Sequence, residues 1–284
     1  MNFDYCDALI NNYLKVVDTP VLEASSRYFC GVDLGTACVV LAVLNEDGEP
    51  VAGEYQYANV VKDGMLVDYT GAVRLVKQMK ANVEARLGTR LMYAASAIPP
   101  GTNFLDSGAI KNVVESADFE VTSVDDEPTA ANQVLKMKNG AIVDIGGGTT
   151  GISILKKGKV VSVADEPTGG THFSLVVAGS YRISIEEAEL YKRNTNNHKE
   201  LTVVLKPVIE KVATIINRSI KGHKVDELLL VGGTACFNGI EHIIEEKTGI
   251  PTYKPANPMF VTPLGIALSC RNAVVSPKKT RAKK

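Results

Sequence analysis

Apolar positions in this chain follow two alternating rhythms: short apolar runs closed by glycine-rich turns, and longer stretches in which apolar residues return every third or fourth position. The first rhythm predicts strands and the second predicts helices. At the start, Phe3, Leu9, Ile10, Leu14 and Val17 predict a short amphipathic helix packed onto the body of the protein. From Tyr28 a strand runs through Val32 into Asp33-Leu34-Gly35-Thr36, followed by an apolar strand from Val39 to Leu44, a turn at Asn45-Glu46-Asp47-Gly48 and a further strand. The same order then returns. Ala141, Ile142 and Val143 lead into Asp144-Ile145-Gly146-Gly147-Gly148-Thr149, a strand from Ile152 to Leu155, a turn at Lys156-Lys157-Gly158 and a strand from Val160 to Val163. Two aspartates, each ending a strand and opening a glycine-containing hairpin, read as an internal duplication with one copy in each of two lobes.

Between the copies, Val73, Val76, Met79, Val83 and Leu87 predict a helix stopped at Gly88. A strand from Leu91 to Ala97 ends at Pro99-Pro100, a helix fits Ile110 to Ser116, and a short strand fits Glu120 to Val124. Glu127-Pro128-Thr129-Ala130-Ala131 opens another helix with proline in its first turn. In the second half, Leu201, Val204, Leu205, Val208, Ile209, Val212, Ile215 and Ile216 keep helical spacing, and Pro207 predicts that the regular helix begins near it or kinks there. Leu228 to Val231 reads as a fully apolar strand, followed by Gly232-Gly233-Thr234 and a helix around Ile240 to Lys247. Strands alternating with helices predict an α/β architecture. A last helix, near Leu264 to Arg271, presents Gly265, Ala267 and Ser269, a small-residue face for which Ala130 and Ala131 are the expected partner surface.

This pattern divides the chain into an N-terminal extension over 1–25, a first lobe over 26–138 completed by a C-terminal helix at 261–275, a second lobe over 139–260, and a basic tail over 276–284. Composition narrows the function classes. With 284 residues, 45% hydrophobic and 22% charged, the chain has the make-up of an ordinary globular protein. A formal net charge of -1 argues against broad electrostatic binding to nucleic acid. No apolar run was expected to reach the ~18 residues of a membrane helix. Five scattered cysteines, an odd number, point to a reducing cytoplasm, and four histidines that share no ligand spacing with them argue against zinc. The tail of Lys278, Lys279, Arg281, Lys283 and Lys284 reads as a solvated end.

The two hairpins carry the candidate chemistry. Glycines between strands expose backbone N–H groups that can converge on one anion, and their missing side chains let phosphate oxygens approach. Thr36 and Thr149 add hydroxyl donors. Asp33 and Asp144 would set two carboxylates beside the phosphates, which is unfavourable unless a cation lies between them, and magnesium, which keeps most of its waters, fits that place. No Gly-x-Ser-x-Gly elbow, Gly-x-x-x-x-Gly-Lys loop or His-Glu-x-x-His motif competes.

In order, Gly31-Val32-Asp33-Leu34-Gly35-Thr36, Asp126 to Ala131, Asp144 to Thr149, Leu229 to Gly233 and Pro263 to Ala267 resemble the first phosphate motif, the first connecting helix, the second phosphate motif, the adenosine motif and the second connecting helix of the actin and DnaK chaperone ATPase superfamily. Within it, Val61 to Asp68, Pro99 to Thr102, Gly146 to Gly151 and Ser184 to Lys192 resemble the EutJ family of ethanolamine-utilisation proteins. The resemblance implies two ribonuclease-H-like lobes around a nucleotide cleft, with ATP or ADP and magnesium as ligands. It implies that Asp33 and Asp144 hold magnesium through water, that Gly35, Thr36, Gly146, Gly147, Gly148, Thr149, Gly169 and Gly170 face the phosphates, and that Gly232 and Gly233 pass under the nucleoside. Glu127 matches the position that helps place the attacking water in the chaperones, so Asp33, Glu127 and Asp144 are the candidate catalytic residues.

The departures also carry expectations. Gly151 stands where the chaperone ATPases have an aspartate, Cys236 stands where they stack an arginine on adenine, and no counterpart of their phosphate-side lysine is evident. Slow turnover is therefore expected. The stretch from Gly170 to Gly232 and the residues after Leu268 are too short for the chaperones' peptide-binding domain. The leading expectation is a cytoplasmic, nucleotide-gated chaperone or assembly and reactivation factor, with ethanolamine-pathway enzymes or microcompartment shell proteins as partners and neither nucleic acid nor membrane among them. A small-molecule kinase is a second reading, weakened by the lack of a sugar-kinase-like catalytic aspartate. A third is an actin-like filament former, supported by the likeness of residues 61–68 and 98–131 to bacterial actins.

Overall fold

Two five-stranded sheets with one strand order between them carry the chain in a computed structural model that describes residues 3–21, 25–62, 65–102 and 104–275. The basic tail lies outside the described residues. After helix α1 (Asp4–Asp18), the first sheet takes β1 (Phe29–Leu34), β2 (Cys38–Leu44) and β3 (Pro50–Tyr57). A two-stranded hairpin, β4 (Val61–Lys62) with β5 (Met65–Leu66), precedes α2 (Tyr69–Leu87), β6 (Tyr93–Ile98), α3 (Phe104–Ser116), β7 (Glu120–Asp126) and α4 (Glu127–Leu135). The second sheet takes β8 (Gly140–Ile145), β9 (Thr150–Lys156) and β10 (Lys159–Glu166). It continues through α5 (Gly170–Tyr181), α6 (Ile185–Arg193), α7 (His198–Ser219), β11 (Leu228–Val231), α8 (Ile240–Thr248), β12 (Thr252–Tyr253) and α9 (Val261–Val275). The orders are β3-β2-β1-β6-β7 and β10-β9-β8-β11-β12, in each case two antiparallel pairings followed by two parallel ones. The duplication read from the hairpins thus extends to the whole sheet.

Local chemistry fixes the element ends. Asp68 caps α2 by accepting from the Gly71 N–H, and Gly88 ends that helix in a left-handed conformation. Asp126 caps α4 by accepting from the Thr129 N–H, with Pro128 in the first turn where no helical donor is lost. Ser184 and Glu187 form a reciprocal capping box at the start of α6.

Each sheet has its own outer core. The first packs Val32 and Leu41 against Val76, Met79 and Val113 of α2 and α3, and the second packs Val143 and Ile152 against Leu205, Ile209 and Val212 of α7. Between the sheets lies a third core, in which Val40, Ile142 and Leu229 meet α4 and α9. The small faces of those two helices do meet: a Cβ on Gly265 would lie 1.9 Å from the Ala130 carbonyl oxygen, so the backbones touch there. Helix α1 joins this core through Cys6, Leu9, Ile10, Tyr13 and Val16, with Leu14 and Val17 at its margin. Tyr13 donates to the Leu41 carbonyl at 3.2 Å, and Asp7 accepts from the Ala256 N–H at 2.8 Å, which ties the helix to both halves.

Two expectations are corrected. Of the two outcomes expected at Pro207, a helix start near it does not occur: α7 starts at His198 and runs through the proline. The carbonyl that proline leaves without its donor is that of Val203, the residue four positions earlier, which is 79% exposed and can bond water instead. One segment, Pro258–Val275, is also long and apolar enough to cross a membrane, but 67% of it is buried inside the protein, as the shared helix between the sheets requires.

Candidate functional site

The turns after β1 and β8 face each other across a cleft between the sheets. They come close enough that a Cβ on Gly147 would stand 2.9 Å from the Ala37 Cβ, so the second turn admits no side chain there. The Gly146 N–H bonds the Thr149 carbonyl at 3.0 Å and closes that turn. The start of α5 docks beneath it, with the Gly170 N–H on the Gly146 carbonyl at 2.9 Å and the Thr171 N–H on the Gly147 carbonyl at 2.8 Å. Asp33, Gly35, Thr36, Glu127 and Asp144 line the cleft, as do Gly146, Gly147, Gly148, Thr149, Gly232 and Gly233. Gly169 lines neither part of it: a Cβ there would meet the Gly146 oxygen at 2.8 Å, so its role is to let the chain pass under the glycine turn. Gly232 takes a positive φ of 92° and its Cβ would lie 2.3 Å from Asp144 Oδ1, so it makes room for that carboxylate.

Burial and mutual repulsion make the carboxylates of this cleft costly to ionise. Burial, reinforced by the charge of Asp144, raises Asp33 to about 7. Burial also raises Asp144, to about 6, against the opposing effect of a hydrogen bond donated by Thr262 at 3.1 Å. Glu127, the first residue of α4, is pushed well above the usual carboxylate range by burial and then by Asp144 and Asp33. Such a trio is a natural place for a cation. Among the described residues no group of three or more His, Cys, Asp or Glu side chains is arranged to hold an ion directly.

The cleft continues into a second space, so that the two parts enclose about 870 and 1110 Å³ with their open mouths included. Gly170 and Gly233 line this second part, as does Cys236. Its charged wall escaped the sequence reading. Glu189, Lys192 and Arg193 stand on one face of α6, where Lys192 donates to Glu189 at 2.6 Å and to the Gly170 carbonyl at 2.9 Å, and Arg193 to Glu189 at 2.8 Å. The i, i+3, i+4 spacing of those three charges was the available signal. Across the mouth, the Arg193 guanidinium lies 3.5 Å from the centre of the Tyr57 ring on β3. Tyr55, Phe260 and Leu14 of α1 complete an apolar wall, with Tyr13 against Phe260 behind it.

With this geometry in view, the likeness to known proteins has a physical content. A family model described as type IV pilus assembly protein PilM matches residues 111–262. Ethanolamine utilization protein EutJ of Escherichia coli K12 is 45% identical over 254 residues, 89% of this chain and 89% of that one. The crystal structure of EutJ from Carboxydothermus hydrogenoformans, 45% identical, superposes with a TM-score of 0.88 over 92% of this chain and 97% of that one. MreB5 of Spiroplasma citri bound to AMPPNP is similar in fold alone, at 18% identity and a TM-score of 0.72 over 86% of this chain and 96% of that one. The chain, which carries the PilM family pattern through residues 111–262, belongs to the EutJ family of ethanolamine-utilisation proteins with an actin-like ATPase fold.

Proposed function

We propose that this protein binds ATP or ADP with magnesium in the cleft and uses lobe closure to act as an assembly or reactivation factor for ethanolamine-degrading enzymes or their microcompartment shell. The observation that supports this reading best is the contact of two glycine turns from duplicated sheets beside two half-buried carboxylates of raised pKa. Gly35, Thr36 and the turn from Gly146 to Thr149 present backbone amides, and Thr36 its hydroxyl, to the phosphates. Asp33 and Asp144 hold magnesium through water, and Glu127 orients the attacking water. When bound, magnesium supplies the positive charge that lets carboxylates and phosphates share one cleft. The second space, with Lys192 and Arg193 on one wall and Tyr55 and Tyr57 on the other, takes the nucleoside. Phosphoryl transfer depends on positioned charge, and Gly151 supplies none, so turnover is slow and the bound state is the working one. Closure acts on a client only as far as that client prefers the open or the closed form.

Thermal melting with ATP, with ADP and without nucleotide, each with and without magnesium, tests the binding step. At a thousand times its dissociation constant a nucleotide stabilises the native state by ~4 kcal/mol. A rise of several degrees is expected, and an unchanged melt under every condition would sink the nucleotide reading. For the client, recovery of neither a pathway enzyme nor a shell protein on the tagged chain from ethanolamine-grown cells would remove that half.

A further inference from the structure

Three strands of the second sheet carry Asp144, Gly151 and Asp165 side by side: Asp144 on β8 pairs with Gly151 on β9, and Gly151 pairs with Asp165 on β10. Directly paired residues present their side chains on one face of a sheet, so the glycine leaves a gap flanked by two carboxylates. Strands lie ~4.8 Å apart, which sets the two aspartate backbones roughly 10 Å from each other. A methyl built on Gly151 would stand 3.7 Å from Asp165 Oδ1 and 3.4 Å from the Pro100 ring, which reaches over from the first lobe. Asp165 therefore leans over the bare position from the exposed rim of the cleft. Thr149, two residues before Gly151 and so on the same face, brings its hydroxyl near Asp165, where it favours the charged carboxylate.

A β-bulge aims this carboxylate. Pairing of β10 with β9 shifts between Val160 and Ser162. Without the extra residue, Ala164 would face Gly151 and Asp165 would turn to the opposite face, because strand side chains alternate. With it, Ala164 packs on the outer core and Asp165 turns to the sheet face that carries Gly151 and Asp144.

We infer that Asp165 is a positioning residue of the nucleotide site, which holds the Thr149 hydroxyl and, through water, steadies the cation from the side of Gly151 opposite to Asp144. This rests on the magnesium-nucleotide reading above. The negative charge of Asp165 also reaches Asp144 and Glu127, both of which it makes harder to ionise, as a carboxylate facing the same space does.

The test is a fluorescent-ATP titration of the full chain at rising magnesium concentration, for wild type, Asp165→Asn and Gly151→Ala. Asp165→Asn is expected to keep magnesium-free nucleotide affinity within about threefold and to lose at least fivefold of the gain that magnesium brings. Gly151→Ala adds a methyl at ordinary contact distance from its neighbours, so it folds, and by narrowing the gap it cuts the same gain. A merely structural role would lower magnesium-free and magnesium-bound affinity together. Wild-type magnesium dependence in Asp165→Asn, or equal losses in both conditions, overturns this inference and leaves the nucleotide reading standing. Absence of nucleotide binding by the wild type overturns both.

Discussion

The two lobes share strand order, hairpin register and a bulge at the same place, yet the row of residues they turn toward the cleft differs. In the first it reads Asp33, Val40, Tyr55; in the second it reads Asp144, Gly151, Asp165. One bulge falls between Val43 and Leu44 on the β2–β3 pairing and the other between Val160 and Ser162 on the β9–β10 pairing. The duplicated frame thus delivers a third residue to one slot in each lobe, and the chemistry placed there has diverged. The aspartate nearest the phosphate turns is kept in both. Beyond it, the first lobe fills its row with an apolar wall that continues into the second space, and the second lobe sets a bare, buried glycine between two carboxylates.

A second contrast lies two residues before each aspartate, where the first lobe has Gly31 and the second has Ile142. Helix α9 lies directly on β1: a Cβ on Gly31 would meet the Pro263 oxygen at 2.4 Å and the Ala267 nitrogen at 2.6 Å. The second lobe instead fills the equivalent position with a fully buried isoleucine in the core shared with α4. Exchanging the residue type should be severe in both lobes for opposite reasons. Gly31→Val forces two backbones apart and is expected to cost about 3 kcal/mol or more, up to loss of folding. Ile142→Ala empties a packed site at ~2–5 kcal/mol. Urea unfolding measures both, and a near-wild-type midpoint for Gly31→Val would mean that α9 does not rest on the first sheet as described.

The carboxylates allow a gentler break of the comparison. Asp33 rises to about 7 and Asp144 to about 6, the latter held lower by the Thr262 hydroxyl. Because a raised carboxyl binds more protons in the native than in the unfolded chain, its contribution to stability is full below pH ~4 and is lost as pH rises to 7. The nucleotide-free protein should therefore melt lower at pH 8 than at pH 5 on account of these groups. Asp33→Asn should recover ~1–3 kcal/mol at pH 8 and about a third of that at pH 5, a figure kept below the full linkage value because the cleft admits water. Asp144→Asn should recover less, since its shift is smaller and the amide serves Thr262 less well. Equal melting of wild type and Asp33→Asn at both pH values would contradict the electrostatic account of the cleft.

What was legible in the sequence is what repeats locally. Asp33-Leu34-Gly35-Thr36 and Asp144 to Thr149 announced themselves because strand, aspartate and glycine turn are adjacent in the chain, and the small faces at Ala130 and Gly265 because helix spacing is regular. Asp165 stayed hidden because its facing depends on one unpaired residue in β10, and no composition signal marks a bulge. Thr262 stayed hidden because it meets Asp144 only through the return of α9 to the cleft. The start of α7 at His198 instead of near Pro207 stayed hidden because it depends on Leu201 and Leu205 packing in the second lobe's core, a tertiary fact. Arg193 stayed hidden because its guanidinium enters from α6 the same space that Cys236 lines, and that meeting is set only by the fold.

That guanidinium provides the smallest of the expected effects and the one that bears on motion. Tyr57 ends β3 of the first lobe, and Arg193 ends α6 of the second, so their stack at 3.5 Å spans the mouth of the space assigned to the nucleoside. A cation over an aromatic face at a partly exposed site contributes ~0.5–1 kcal/mol, about a two- to fivefold change in a rate that requires its rupture. If the lobes must part for nucleotide to leave, Tyr57→Ala should speed release by that factor in a stopped-flow chase with unlabelled ATP and leave association nearly unchanged. Arg193→Lys should fall between wild type and Tyr57→Ala, because an ammonium keeps the charge and the pairing with Glu189 but loses the planar stack. Arg193→Ala also removes a wall of the space, so a much larger effect from it than from Tyr57→Ala would separate contact with the nucleoside from closure of the lobes. An unchanged release rate in Tyr57→Ala would mean that nucleotide leaves without the lobes separating at this edge.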